Sequence, residues 1–282
     1  MALKIKLEID SKQISSVVLD SQSNKQKLHS PVVVENGQNL GRALQLSFEK
    51  IAQKMRQDVP SLLRKVELIE IATTLGETIL VDRTGIHVGL IVTKGYETSV
   101  LNDSKISALL QHDLVVGIDE EVNTKGKVIK ELKEDEIREA IRSLLDGGAE
   151  VIVASFKNAA INPHNEVLCQ KVMAKSFPRH YLGGVPFQKS VEVADSNDFT
   201  LRTHLAVMNA YIKSGIASRL YSLADEIWRI GYRNPLHLID AHGRSIPLAK
   251  VLPVATLASE KTAPLRMESE PYKDKDKETD ER

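Results

Sequence analysis

The stretch from residue 114 to residue 156 constrains this chain more than any other. An apolar run at 114–118 leads into an acidic turn of Asp119, Glu120 and Glu121, then a helical repeat, then a second apolar run at 151–156. Ile137, Ala140, Ile141, Leu144 and Leu145 recur at three and four residues, which puts them on one helical face. Gly147 and Gly148 end the repeat, because glycine supplies the positive φ that a helix terminus wants. The pattern predicts a strand, a crossover helix and a strand, with room for a hairpin at 123–130. A chain organised on such a unit belongs to the α/β class.

At 282 residues the chain can form one large domain or two modest ones without disulfides, with candidate subdivisions near 60–70 and 190–200. Its 38 basic and 38 acidic residues cancel, so nothing in the balance points to nucleic acid or an anionic membrane. The single cysteine, Cys169, cannot form an internal disulfide, which favours the cytoplasm. Lys4, Lys6, Glu8 and Asp10 interrupt the opening apolar runs, so no signal peptide is expected. No apolar run approaches the roughly 20 residues that span a bilayer.

In chain order, 3–9 and 14–19 alternate like paired strands, and Val32, Val33 and Val34 suggest a third. Leu40, Leu44, Phe48, Ile51 and Ala52 trace a helix after an Asn39 cap, with a break near Asp58 and Pro60. A buried strand is expected at 86–92. Asn162 is the expected N-cap of a helix whose first position is Pro163. From 204 to 228 another helical pattern runs, with Gly215 as a candidate division into two helices. Residues 236–239 and 251–257 suggest a return to β structure. The last ten residues carry four basic and five acidic side chains, so 261–282 reads as a charged, flexible tail.

Few residues carry a chemical signal of their own. Thr73 and Thr74 precede a helix start, where free backbone donors can meet an anion; the alternative is a threonine turn and cap. Lys94, at a strand end, can orient an anionic group or stand in a solvated loop. His87 has no metal-spaced partner, and the acidic turn at 119–121 reads as solvated rather than as a cation site, so no metal site is expected. Cys169 reads as a small core residue, His164 and Glu166 as parts of a capped helix start, and Trp228 as an anchor for the core or for a subunit contact.

As an ordered series, these motifs over residues 1–260 resemble the N-terminal half of the hydantoinase and oxoprolinase superfamily, which includes subunits of ATP-dependent ketone carboxylases. The resemblance rests on Thr73 and Thr74; on Thr93, Lys94, Gly95 and Tyr96; on Asn162, Pro163 and Glu166; on Arg202 and Thr203; on Asn209, Ala210 and Tyr211; and on Pro253 to Ser259. Glu121 replaces an arginine of the family pattern, Asn165 a histidine, and Glu260 and Lys261 a glycine and a proline. The family's opening phosphate segment carries a glycine pair; Asp10 resembles its first acid, but residues 11–16 contain no glycine.

The resemblance implies an α/β, incomplete actin-like or sugar-kinase-like lobe with mixed β-sheets and flanking helices. It further implies an accessory subunit that supports ATP-dependent carboxylation of an aromatic ketone, acetophenone being the candidate, together with larger hydantoinase- or carboxylase-like subunits. ATP and a divalent cation would belong to that larger complex, and no cofactor is expected in the isolated chain. A phosphorylated ketone or related intermediate is the implied small-molecule ligand. Lys94 is the first candidate for anion recognition, with Thr73 and Thr74 assisting and Arg202 more remote, since an arginine there also suits a structural ion pair. No catalytic base is assigned. The alternatives are a nonenzymatic scaffold or regulatory subunit, using the Trp228 helix and the tail, and a small-molecule-binding module.

Overall fold

The computed structural model describes residues 2–10, 12–33, 40–177 and 184–257. Asn39, Glu260, Lys261 and the charged tail at 261–282 lie outside them. The chain opens with β1 (Leu3–Ile9), β2 (Gln13–Asp20) and β3 (Gln26–Val33), then α1 (Leu40–Lys54) and the single turn α2 (Val59–Leu63). Alternate residues of β1 (Leu3, Ile5, Leu7 and Ile9) are buried, as a strand with one face on the core requires. The break expected at Asp58 and Pro60 is the start of α2: the Asp58 carboxylate accepts from the Ser61 amide at 2.6 Å.

Then follow β4 (Val66–Thr73), α3 (Leu75–Asp82), β5 (Val88–Thr93), α4 (Glu97–Leu101) and β6 (Val115–Ile118). The hairpin β7 (Glu121–Val122) and β8 (Val128–Lys130) precedes α5 (Glu134–Asp146), β9 (Val151–Ser155), α6 (His164–Ser176) and β10 (Phe187–Lys189). The chain continues through α7 (Phe199–Arg229), β11 (Leu236–Ile239) and β12 (Ser245–Pro247).

The strands form two main sheets. In the first, ordered β12-β11-β4-β1-β2-β3, the central strands β11, β4 and β1 run parallel while β2, β3 and β12 add antiparallel edges. The second, β10-β9-β5-β6, is parallel throughout. Its central strands β5 and β9 are buried on both faces, which explains their unbroken apolar runs. One face meets α5 and α6 through Ile91, Ile152 and Ala154. The other, through Leu90, Val92, Val151 and Val153, joins the core that α7 shares with α1 and the first sheet. No helix among the described residues is long and apolar enough to cross a membrane.

Four local expectations are corrected. Gly215 does not divide α7, which is one helix of 31 residues; a side chain at Gly215 would meet Ile79 of α3, so the glycine permits close packing. Helix α6 begins one residue later than expected, with Pro163 at the cap position and Asn162 accepting from the His164 amide at 3.0 Å. Residues 251–257 do not return to β structure: Pro253–Thr256 form a 3-10 turn, because the chain must fold back beneath α7 rather than extend a sheet. Trp228 is 60% exposed and anchors no core.

The approach of the α3–β5 connection to α7 sets a test. A methyl group at Gly85 would overlap the Tyr211 ring. Gly85→Ala is expected to destabilise the fold by about 1–3 kcal/mol through overpacking, measured by urea denaturation.

Candidate functional site

Strands β1, β4 and β11 end side by side, and ligands of α/β sheets settle beyond such carboxyl ends. Here a cleft of about 360 Å³ is lined by Glu8, Asp10, Gln13, Thr73, Thr74 and Glu77, with Asp240 and Thr256 opposite. Thr74 stands at the cap position of α3, and the Thr73 hydroxyl accepts from the Leu75 amide at 3.1 Å. The hydroxyl pair does face a cavity at a helix start. One of the donors there is already spent on Thr73.

The loop that would cradle a phosphate is also closed on itself. Asp10 Oδ1 accepts from the amides of Lys12 at 2.6 Å and Gln13 at 2.7 Å, so these donors serve an internal turn. Asp240 is likewise engaged, accepting from the amides of His242 and Arg244 and from Arg244 Nε at 2.6 Å. Burial pushes the Asp240 carboxyl up, but these donors and the Arg244 charge outweigh it and hold the group below the ordinary carboxylate range. Among the described residues lining the cleft, none is lysine or arginine. Its walls offer hydroxyls, the Gln13 carboxamide and carboxylates, but no cationic side chain among the described residues to balance the phosphates of a nucleotide.

Lys94 lies elsewhere. It follows β5 in the second sheet and lines a separate groove of about 410 Å³ with Gly117, Ile118, Asp119, Glu136 and Glu139. The structure therefore does not bring Lys94 together with Thr73 and Thr74. Arg202 is in neither cavity. It is fully buried on α7, donating to Ser190 Oγ at 2.9 Å, to the Ser196 carbonyl at 2.8 Å and to the Phe156 carbonyl.

Arg202 belongs to a polar network across the carboxyl ends of the second sheet. Glu166, wholly buried, accepts from Ser190 Oγ at 2.6 Å and from the amides of Phe156 and Val191. Ser190 thus bridges a carboxyl and a guanidinium. Burial pushes the Glu166 carboxyl up to about 7, against the pull of Ser190, Arg202 and the two amides. Beside it, Ser155 pairs with Thr203 at 2.8 Å. Asn209 donates to Gln188 Oε1 at 2.7 Å and accepts from the Val254 amide at 3.1 Å, tying β10 to the turn that walls the first cleft. The family-like residues Glu166, Arg202, Thr203 and Asn209 therefore act as buried connectors.

The acidic turn was expected to be solvated, and only part of it is. Asp119 pairs with Lys130 at the surface and Glu121 is exposed. Glu120 turns inward, 4% exposed, accepting from Thr93 Oγ1 at 2.5 Å and Asn165 Nδ2 at 2.6 Å. Burial holds its carboxyl above the ordinary range against those two donors. Sequence reasoning missed Glu120, Ser190 and Gln188, because an acidic run and isolated polar residues carry no periodic sign of burial. Cys169, nearby, is fully buried, and burial pushes its thiol up, so it is the core residue expected.

With this geometry established, comparison with known proteins places the chain. The model of the hydantoinase/oxoprolinase N-terminal region matches residues 16–177, which are 162 of the 282. The chain belongs to this family. The acetophenone carboxylase gamma subunit of Aromatoleum aromaticum is 26% identical over 224 residues, 72% of this chain and 31% of that one. An uncharacterized protein of Methanocaldococcus jannaschii is 22% identical over 212 residues, 69% of this chain and 30% of its own length. This family member thus spans about a third of the length of these curated relatives.

Two solved structures share the fold. An acetone carboxylase in its nucleotide-free form superposes with a TM-score of 0.80 at 19% identity, covering 92% of this chain and 39% of the other. The ATP-dependent caprolactamase from Pseudomonas jessenii gives 0.68 at 21% identity, covering 86% and 36%. The architecture is the mixed α/β, actin-like lobe that the sequence resemblance implied.

Two outcomes test the network. Glu166→Ala leaves the Ser190 hydroxyl and the amides of Phe156 and Val191 without their acceptor, and is expected to cost about 3–5 kcal/mol in denaturant unfolding. The second concerns pH. A carboxyl raised from 4.5 to about 7 keeps its proton in the folded state after the unfolded chain has lost it. Its contribution to stability is complete below about pH 4.5 and is lost as pH rises through about 7. Glu166→Gln, which does not titrate, is expected to flatten that part of the stability profile.

Proposed function

We propose that this chain is an accessory subunit supporting an ATP-dependent carboxylation in company with larger hydantoinase- or carboxylase-like subunits. The observation that carries the reading is the cleft at the ends of β1, β4 and β11. It lies at the ends of parallel strands, yet Asp10 accepts from the amides of Lys12 and Gln13, and among the described residues no lysine or arginine lines it. Phosphate recognition needs free donors or positive charge. Positive charge would come from a divalent cation carried with the nucleotide or from another subunit closing over the cleft. Thr73 and Thr74 are then contributors to a shared site rather than a site by themselves.

The relation to the acetophenone carboxylase gamma subunit makes an aromatic ketone, acetophenone first, the substrate class to test. A phosphorylated ketone or a related intermediate is the ligand class for this lobe, and the cytoplasm is its proposed compartment. Lys94 is retained as an anion contact in its own groove, independent of Thr73 and Thr74. A structural role is proposed for Arg202, and its burial supports that reading.

A scaffold role is the second reading. It is favoured by the burial of Glu166, Arg202, Thr203 and Asn209, residues that serve the fold instead of facing a cavity.

Reconstitution of purified carboxylase-type subunits with and without the chain separates these outcomes, with ATP turnover and ketone carboxylation followed independently. Omission of the chain is expected to lower carboxylation about tenfold or more, equivalent to about 1.4 kcal/mol in the barrier. Unchanged rates of both reactions would refute the accessory role, as would ATP turnover by the isolated chain. Lys94→Ala with assembly intact distinguishes the two readings: loss of carboxylated product supports anion handling, and retained product supports scaffolding.

A further inference from the structure

Four carboxylates are buried among the described residues, and three of them have a basic group to answer their charge. Glu70 pairs with Lys4 at 2.8 Å, Asp240 pairs with Arg244 at 2.6 Å, and the Arg202 charge acts on Glu166. Glu120 is the exception. The one charge that acts on its carboxyl is that of Glu121, which repels it. The basic side chains of the flanking segments serve other groups. Lys157 stands over the Tyr96 ring and acts on Glu121. Lys94, Lys130 and Lys133 act on Asp119.

The hydrogen bonds around Glu120 suit an ionised acid. Thr93 Oγ1 accepts from the Lys157 amide at 2.9 Å, so its proton is free to go to Glu120 Oε1. Asn165 Nδ2 donates to Glu120 Oε2 at 2.6 Å. Beside them stands a second unmet need. Asn165 is only 3% exposed, and its Oδ1, on the same carboxamide that meets Glu120, has no donor among the described residues. A proton on Glu120 would answer the charge but not that oxygen, and a water would answer the oxygen but not the charge. A cation held between them answers both.

We infer that Glu120 and Asn165 Oδ1 hold a monovalent cation of the potassium or ammonium class at the carboxyl ends of the second sheet. The donor set selects the valence. One carboxylate balances one positive charge, and neutral oxygens are what replace the hydration shell of such an ion. A divalent ion asks for more carboxylates or a full octahedron, and no group of three or more acidic, histidine or cysteine side chains among the described residues could hold one. Sodium keeps its water more tightly than potassium or ammonium, so a buried site with few oxygens favours the latter two. The position has a structural use. Glu120 immediately precedes the hairpin of β7 and β8, so the ion ties the root of that hairpin to the end of β5 and the first turn of α6. Asn158 and Asn162 fasten the same hairpin farther along, through the carbonyls of Val122 and Gly126. None of this depends on the accessory-subunit reading.

Thermal unfolding of the chain in potassium, ammonium, sodium and tetramethylammonium chloride at equal ionic strength tests the site. A ligand of the folded state raises the midpoint saturably. That rise is expected in potassium or ammonium and not in sodium or tetramethylammonium, and the larger of the two effects identifies the occupant. Glu120→Gln keeps the shape of the side chain without its charge and is expected to lose the dependence. Crystals of the unaltered chain soaked in rubidium chloride, which needs no variant to fold, are expected to show an anomalous peak touching Glu120 and Asn165 Oδ1. No salt effect, an equal rise in sodium or tetramethylammonium, a dependence that survives in Glu120→Gln, or the absence of rubidium at this position each overturns the inference. So does a protonated-acid infrared band at neutral pH that Glu120→Gln removes, which would make Glu120 a neutral buried acid.

Discussion

The buried guanidinium of Arg202 is the constraint on which the arrangement turns. A charge placed at the meeting point of α7, β9 and the segment after β10 cannot be left without partners, because desolvation there costs several kcal/mol. Ser190 Oγ, the Ser196 carbonyl and the Phe156 carbonyl accept its hydrogen bonds, and Ser190 in turn donates to Glu166. Phe156 follows β9, Ser190 and Ser196 follow β10, and Glu166 stands on α6, so satisfying one arginine sets the relative position of α6, α7 and the second sheet. The apolar contacts of α7 supply bulk adhesion. The polar set supplies register.

From that register follows the relation between the two sheets. Helix α7 packs its apolar side against β5 and β9 and against α1 and α3, so one rigid element serves both layers. Asn209, midway along it, links β10 to the turn at Pro253–Thr256, which in turn walls the cleft beyond β1, β4 and β11. The carboxyl ends of both sheets are therefore wired to one helix. That wiring is costly in buried polar groups, and full pairing of those groups is what makes it specific.

The electrostatics of the cleft are what the proposed accessory role rests on. An anion entering beside Glu8, Asp10 and Glu77 meets negative charge and finds the nearby loop amides already occupied. Of the two basic residues that the sequence singled out, Lys94 stands in a separate groove and Arg202 is sealed in the core. Among the described residues, the cleft walls contribute shape, hydroxyls and carboxylates, with Arg244 paired to Asp240.

The spacing of Ile137, Ala140, Ile141 and Leu144, the apolar runs of β5 and β9, and the alternation of β1 determined the α/β class and most elements, since periodicity reports which face of an element is buried. Motif order likewise identified the family, and Thr73 and Thr74 do line a cavity at a helix start. Other features had no local signature. Gly215 reads as a break in isolation, and only the approach of Ile79 shows it as a packing position. Glu120 is one acid among three until Thr93 and Asn165, from distant segments, turn it inward. Whether Lys94 and the threonines share a site, and whether Arg202 faces ligand or core, depended on distances between residues far apart in the chain. Local propensity does not encode such distances; the packing of α7 between two sheets decided them.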